Sequence, residues 1–246
     1  MKYLVLPFFI FSLLFFTPAH AETVSEDIDD AIVQKILDSG NTAALQKLID
    51  AGLDVNSRDA DGNTILFYML THYSSLDMAK TLINAGADVN LPSANGLTPL
   101  LVATALASEL QLSQQPVTAE NNLNAEIQQA NFNEQQKFLL KRSQELLQLL
   151  IANGADVNQE TPRGTPLMSA ATSDLNAPLV ETLLKADANV NQQDRFGRTA
   201  LFYAAAFGCD TISTMLLKAG ADIRIKDNDG HGYMELEKQD IINSYE

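Results

Sequence analysis

Apolar residues along this chain fall in short runs with helical spacing, and each run is closed by similar polar punctuation. Leu82-Ile83, Leu149-Leu150, Leu183-Leu184 and Leu216-Leu217 each end a run, and Gly86, Gly154, Asp187 and Gly220 follow three or four residues later. A second set of runs opens on Thr64-Ile65-Leu66, Thr98-Pro99-Leu100, Thr165-Pro166-Leu167 and Thr199-Ala200-Leu201. Thr before Pro-Leu predicts a helix start, because its hydroxyl accepts from a free amide and Pro suits the first helical position. Gly after the second run predicts a helix end, because Gly adopts positive φ without steric cost. Asp61-Gly62, Asn95-Gly96 and Asp229-Gly230 are turn dipeptides and predict tight loops between units. Each unit therefore reads as a helix, a turn, a second helix and an extended finger.

The units repeat. Ala-Gly-Leu-Asp-Val-Asn at 51–56 recurs as Ala-Gly-Ala-Asp-Val-Asn at 85–90 and Asn-Gly-Ala-Asp-Val-Asn at 153–158. Ala-Asp-Ala-Asn-Val-Asn follows at 186–191 and Ala-Gly-Ala-Asp-Ile-Arg at 219–224, with spacings of 34, 68, 33 and 33 residues. Leu66, Leu100, Leu167 and Leu201 are expected to point into the stack, with Ala103, Ala170 and Ala204 letting helices approach closely.

These linked strings resemble the ankyrin family, whose period of about 33 residues and Thr-Pro-Leu-His-x-Ala string they match over four units, roughly 59–226. The resemblance implies an all-α repeat solenoid. A degenerate first unit is expected at 26–58 and a truncated last unit, with a polar cap, at 226–246. Two departures stand out. Phe67, Leu101, Met168 and Phe202 replace the motif's His, and Asp187 stands where Gly is expected and should cost local stability.

The 68-residue spacing exceeds one period by 35 residues. The excess, at about 107–140, is rich in Gln and Asn and lacks Gly and Pro from about Thr118 to Asn153, which predicts a long second helix preceded by a loop at 110–116. A faint echo of the repeat string at 119–124 makes a lost repeat the alternative, but no Thr-Pro-Leu follows it. An inert spacer and a partner-specific arm are both open as its role.

Residues 1–21 read as a signal peptide: Lys2, an apolar run at 3–16, then Ala19-His20-Ala21 before Glu22. The run is shorter than the roughly 20 residues that a membrane span needs. The domain organisation is thus 1–21 signal peptide and 22–246 repeat domain. Export to the periplasm or beyond the cell is expected, with the absence of any Asn-x-Ser/Thr sequon leaning toward a bacterial source.

The 246-residue chain carries a net charge of −15, which argues against nucleic acid and anionic membranes as partners. Chemistry is sparse. His72 and His231 lie in different units, and Cys209 is the single cysteine, beside Asp210. Asp227-Asn228-Asp229-Gly230 imitates part of a calcium loop, but Ile225 stands where the first acid belongs and no bidentate Glu closes it. No metal, no cofactor and no catalytic residue is expected.

The resemblance implies recognition of a protein partner by finger tips and concave helix ends. The candidate tips are Arg58, Asp61, Asn63, Asn95, Arg163, Arg195, Phe196 and Arg198, and the candidate helix ends include His72, Tyr73, Leu106 and Phe207. The expected role is a monomeric, non-enzymatic binding module that neutralises a partner enzyme. A secreted effector acting on a host protein and an enzyme with a site in the insertion are the alternatives. The exported protein is expected to begin at Glu22; its intact mass checks this, and a membrane-held form retaining 1–21 would contradict it.

Overall fold

The computed structural model describes residues 35–36, 39–72, 75–106 and 122–235, with the backbone alone along 122–133. Nine α-helices lie in these described residues: α1 (Thr42–Asp50), α2 (Ile65–His72), α3 (Leu76–Asn84), α4 (Pro99–Ala105), α5 (Asn122–Ala152), α6 (Pro166–Ala170), α7 (Ala177–Lys185), α8 (Ala200–Ala206) and α9 (Asp210–Lys218). A 3-10 turn, Asp174–Asn176, precedes α7. No strand forms among the described residues; the fingers contribute isolated antiparallel bridges such as Arg58 with Thr64. The architecture is an all-α repeat solenoid, with α2/α3, α4/α5, α6/α7 and α8/α9 as paired units.

Helix starts follow the threonines. The hydroxyls of Thr64, Thr98 and Thr165 accept from the amides of Phe67, Leu101 and Met168. Thr199 occupies the same position, in the same extended conformation, without a side-chain cap bond. The residues that replace the motif's His (Phe67, Leu101, Met168 and Phe202) are all buried, so apolar packing takes the place of a polar contact. α9 is capped from the preceding unit: the Asp174 carboxylate accepts from the amides of Thr211 and Ile212. Its negative charge sits at the positive end of the helix dipole.

Helix ends follow the glycines. The amides of Ala87, Ala155, Ala188 and Ala221 donate back to Leu82, Leu150, Leu183 and Leu216. Those four leucines are fully buried, so one residue both fills the core and fixes the cap. Leu66, Leu100, Leu167 and Leu201 line the same core from the first helices, against Ala103, Ala170 and Ala204. Each buried leucine contributes on the order of 1.5–3 kcal/mol.

Adjacent units are joined by one recurring side chain. The Asn56 amide group donates to the Gly86 carbonyl at 3.0 Å and accepts from the Asp88 amide at 2.7 Å. Asn90 does the same with Gly154 and Asp156 at 2.9 and 2.8 Å, and Asn191 with Gly220 and Asp222 at 3.1 and 2.7 Å. Asn158 reaches the Asp187 carbonyl at 3.4 Å and the Asn189 amide at 2.7 Å. These are four rungs of one ladder.

The rung from Asn90 to Gly154 crosses the insertion without loss of register. The described part of the insertion, from Asn122 onward, belongs to α5, the second helix of its unit. α5 runs for 31 residues where α3, α7 and α9 have nine. Its C-terminal part buries Ser143, Leu146, Leu147 and Leu150, packing against α3, α4 and α7. Further toward its N-terminus, Glu134, Lys137 and Phe138 are exposed. The segment expected as a loop at 110–116 lies outside the described residues, as does 1–21.

Asp187 has φ of 62°, the one positive value at a described residue other than Gly. Left-handed backbone costs a side-chain-bearing residue about 1–2 kcal/mol, which the greater flexibility of unfolded Gly only partly offsets. Asp187→Gly is expected to raise unfolding free energy by about 0.5–1 kcal/mol, read as a higher urea midpoint at unchanged slope. A lower midpoint would show that the Asp side chain contributes more than its backbone costs.

Candidate interaction surface

Each finger is anchored by one short polar side chain. The carboxylate Oδ1 of Asp59 accepts from the amides of Asp61 and Asn63, at 3.0 and 2.8 Å. Asp194 does the same for Phe196 and Arg198, both at 2.9 Å, and Asp227 for Asp229 and His231, at 3.1 and 2.8 Å. Ser93 and Thr161 fill the equivalent place in the second and third fingers. The remaining Asp194 oxygen accepts from the Tyr203 hydroxyl, and both residues are buried.

Fingers touch one another where each turn has its Gly. A Cβ added at Gly62 would lie 2.8 Å from that of Ala94, and one at Gly197 would lie 2.7 Å from Asn228 Oδ1. Both glycines also have positive φ, so only Gly serves there. Asn228 clamps the fourth finger further: its amide donates to the Phe196 carbonyl and its side chain to the Arg195 carbonyl, each at 2.9 Å.

Three candidate tip residues come together. The Arg195 guanidinium lies 4.7 Å and that of Arg198 5.0 Å from the centre of the Phe196 ring. Attraction between cation and ring face holds the group in place. Arg195 is exposed and Phe196 half-buried, but Arg198 is only 5% exposed. Arg198 therefore supports the tip from beneath and offers a partner no side-chain surface, a correction to its place among the recognition residues.

Arg58 has a structural task beside its exposed position. It is exposed, yet its Nη1 donates to the carbonyls of Gly62 and Pro92, clamping its own turn to the next finger. Gln193, one residue before Asp194 as Arg58 is before Asp59, makes the same pair of bonds to Gly197 and Lys226. The repeat register could have revealed both clamps, since only the aligned position shows that an Arg and a Gln share a task. Asp61, Asn95 and Arg163 are exposed at their tips, whereas Asn63 is buried behind its turn.

Among the helix ends, His72 is exposed and stacks on Tyr68 with ring centres 4.1 Å apart. Phe207 is half-buried and packs against the core edge. Leu106 is 8% exposed and belongs to the core, because α4 ends beneath neighbouring helices; it too is removed from the candidates. Tyr73 lies outside the described residues.

Asp227, Asp229 and His231 bring three ligand atoms within 4.8 Å of one another. Asp227 Oδ1 is already committed to two amides of the turn, as at Asp59 and Asp194, and His231 Nδ1 lies 3.5 Å from the other oxygen. The grouping is the ordinary anchor of a finger. At the foot of the same finger, the Arg224 side chain and amide hydrogen-bond Asp222, holding its carboxyl down to about 2. The pair closes the ladder where Arg224 replaces the linking Asn. No helix among the described residues is long and apolar enough to cross a membrane.

Comparison with known proteins agrees with this geometry. The ankyrin-repeat family profile, three copies of the repeat, matches residues 33–111 and 139–227. The chain is 33% identical over 91 residues to the E3 ubiquitin-protein ligase KEG of Arabidopsis thaliana, covering 37% of this chain and 6% of that protein. It is 33% identical over 100 residues to human ankyrin repeat and SOCS box protein 6, covering 37% of this chain and 24% of that one. The matches thus span a quarter or less of these relatives. The fold resembles the crystal structure of the ankyrin repeat protein EF0377, with a TM-score of 0.63 and 23% identity over 89% of this chain and all of that one. With two profile matches that meet on either side of the insertion and the solenoid that they imply, the chain belongs to the ankyrin-repeat family.

Proposed function

We propose that this protein is an exported binding module that holds another protein, an enzyme of the cell envelope, against its fingers and helix ends and so neutralises it. Ankyrin repeats are a scaffold for protein–protein interaction, and that coarser role follows from the family. The observation that carries the finer reading is the division of labour at the fourth finger. Its backbone is fixed by Asp194 and Asn228, and that base carries an exposed Arg195 beside the half-buried Phe196 ring. Aromatic and Arg side chains are the residue types enriched at energetic hot spots.

Export rests on the sequence of 1–21, and the choice of an envelope enzyme as partner rests on that destination. The exposed stretch of α5 around Phe138 would extend the contact beyond the fingers, as a partner-specific arm.

Replacing Arg195 and Phe196 together by Ala is expected to weaken the complex by about 2 kcal/mol or more. Folding should change by no more than about 0.5–1 kcal/mol, because Arg195 is exposed and Phe196 half-buried. Leu201→Ala, by contrast, should destabilise by about 2–5 kcal/mol through a core cavity. Capture of the partner from an envelope extract by the purified protein, with melting measured on both variants, tests this. A tip variant that melts early yet captures normally would make Phe196 a packing residue and remove the surface.

A further inference from the structure

We infer that the last described unit carries a docking face for a second copy of this chain, giving a two-fold dimer in place of the expected monomer. Three apolar side chains there are exposed although their counterparts in earlier units are covered. Met234 falls one 33-residue period after Leu201 and is 79% exposed, where Leu66, Leu100, Leu167 and Leu201 are 1% exposed or less. Ile223 is 56% exposed, while Val55, Val89 and Val157 at the same place in the repeat are 8% exposed or less. Leu217 is exposed where Ile49, Ile83, Ile151 and Leu184 are half-buried. Leu217 lies near the end of α9, and Ile223 follows it by six residues. The bridge between Lys226 and Gly232 then folds the finger back, so Ile223 and Met234 stand on its two arms. These are positions through which the repeat packs, and here they form an unfilled face.

The chain's own continuation is a poor match for that face. Glu235 stands in the register place of Phe202, and Glu237 in that of Ala204. Both places are buried in the earlier units, and a carboxylate is not buried without a partner. Glu235 is instead exposed and accepts from the Gly232 amide at 2.9 Å.

Head-to-tail stacking on another copy is also disfavoured. It would need an Asn rung at position 224, where Arg224 pairs with Asp222 of its own unit. At the opposite end, α1 buries Leu45 and half-buries Leu48 and Ile49, so it offers no exposed large apolar side chain. The face therefore meets its own likeness across a two-fold axis, which closes the assembly at two copies. Charge permits this. From Leu217 to Glu235 three cations (Lys218, Arg224, Lys226) stand against four acids (Asp222, Asp227, Asp229, Glu235), a net of −1 on a chain of −15. This end adds little to the repulsion between two copies. A dimer so formed carries the candidate interaction surface twice, whatever the identity of the partner.

Sedimentation velocity of the exported form over a range of concentrations tests the inference. Three apolar side chains per copy make a small interface, so half-association is expected at about 10–100 µM. Ile223→Glu and Met234→Glu should each weaken it by about tenfold or more. Phe138→Glu, an equally exposed apolar position on α5, should change it by less than about twofold. Melting at low concentration checks that the variants fold. A monomer at every concentration overturns the inference, and so does equal weakening by Phe138→Glu, which would leave only non-specific apolar contact. A monomer that melts several degrees lower with Ile223→Glu would give the face to a segment of the same chain. A monomer with unchanged melting that loses partner capture would give it to the partner. Either result overturns the second copy as occupant while leaving the binding-module reading in place.

Discussion

A single asparagine side chain per unit sets the geometry of this protein. A carboxamide offers one donor and one acceptor at fixed separation, and at Asn56, Asn90, Asn158 and Asn191 both meet the backbone of the next unit. That double bond tolerates little slip, because a one-residue shift would leave a carbonyl and an amide without their partners. Leucine packing between helices supplies most of the stabilisation, but apolar contact is not directional. The asparagines make the stacking specific, and they hold each finger at the place where its Gly can touch the next.

Because the ladder needs only the segment between the second helix and the finger, the turn between the two helices of a unit is free to vary. The insertion uses that freedom. Gly154 and Asp156 accept and donate to Asn90 as if no extra chain intervened, while α5 grows from its N-terminal end. The same logic picks out residues that build. Arg58 and Gln193 look like surface side chains but join fingers, and Arg198 lies under a ring. Arg163, Arg195 and Phe196 stand on that base.

The fold was legible because its constraints are local and repeated. Thr98-Pro99-Leu100 states a helix start, Gly86 a helix end, and recurrence at 33 or 34 residues states that the units stack. The long α5 was legible from the lack of helix breakers before Asn153, and the strain at Asp187 from its place in the repeat string. The surface was less so. Sequence tells that Arg58 and Arg198 sit near finger tips, but the direction of a long guanidinium depends on which carbonyls or rings the next finger presents. Leu106 likewise marks a helix end in the pattern, and only packing of the neighbouring helices shows that this end is covered. The aligned register of Arg58 with Gln193 was the available signal for the clamps, and it needs the structure to give it meaning.

The measurement that bears most directly on this account is urea unfolding of Asn90→Ala beside the parent protein. Loss of the two bonds to Gly154 and Asp156 should cost about 1–3 kcal/mol. In a repeat array stabilised between neighbours, it should also lower the apparent slope, as the units before and after the insertion begin to unfold separately. An unchanged midpoint and slope would contradict the account, because the leucine core alone would then hold the units in register across the insertion.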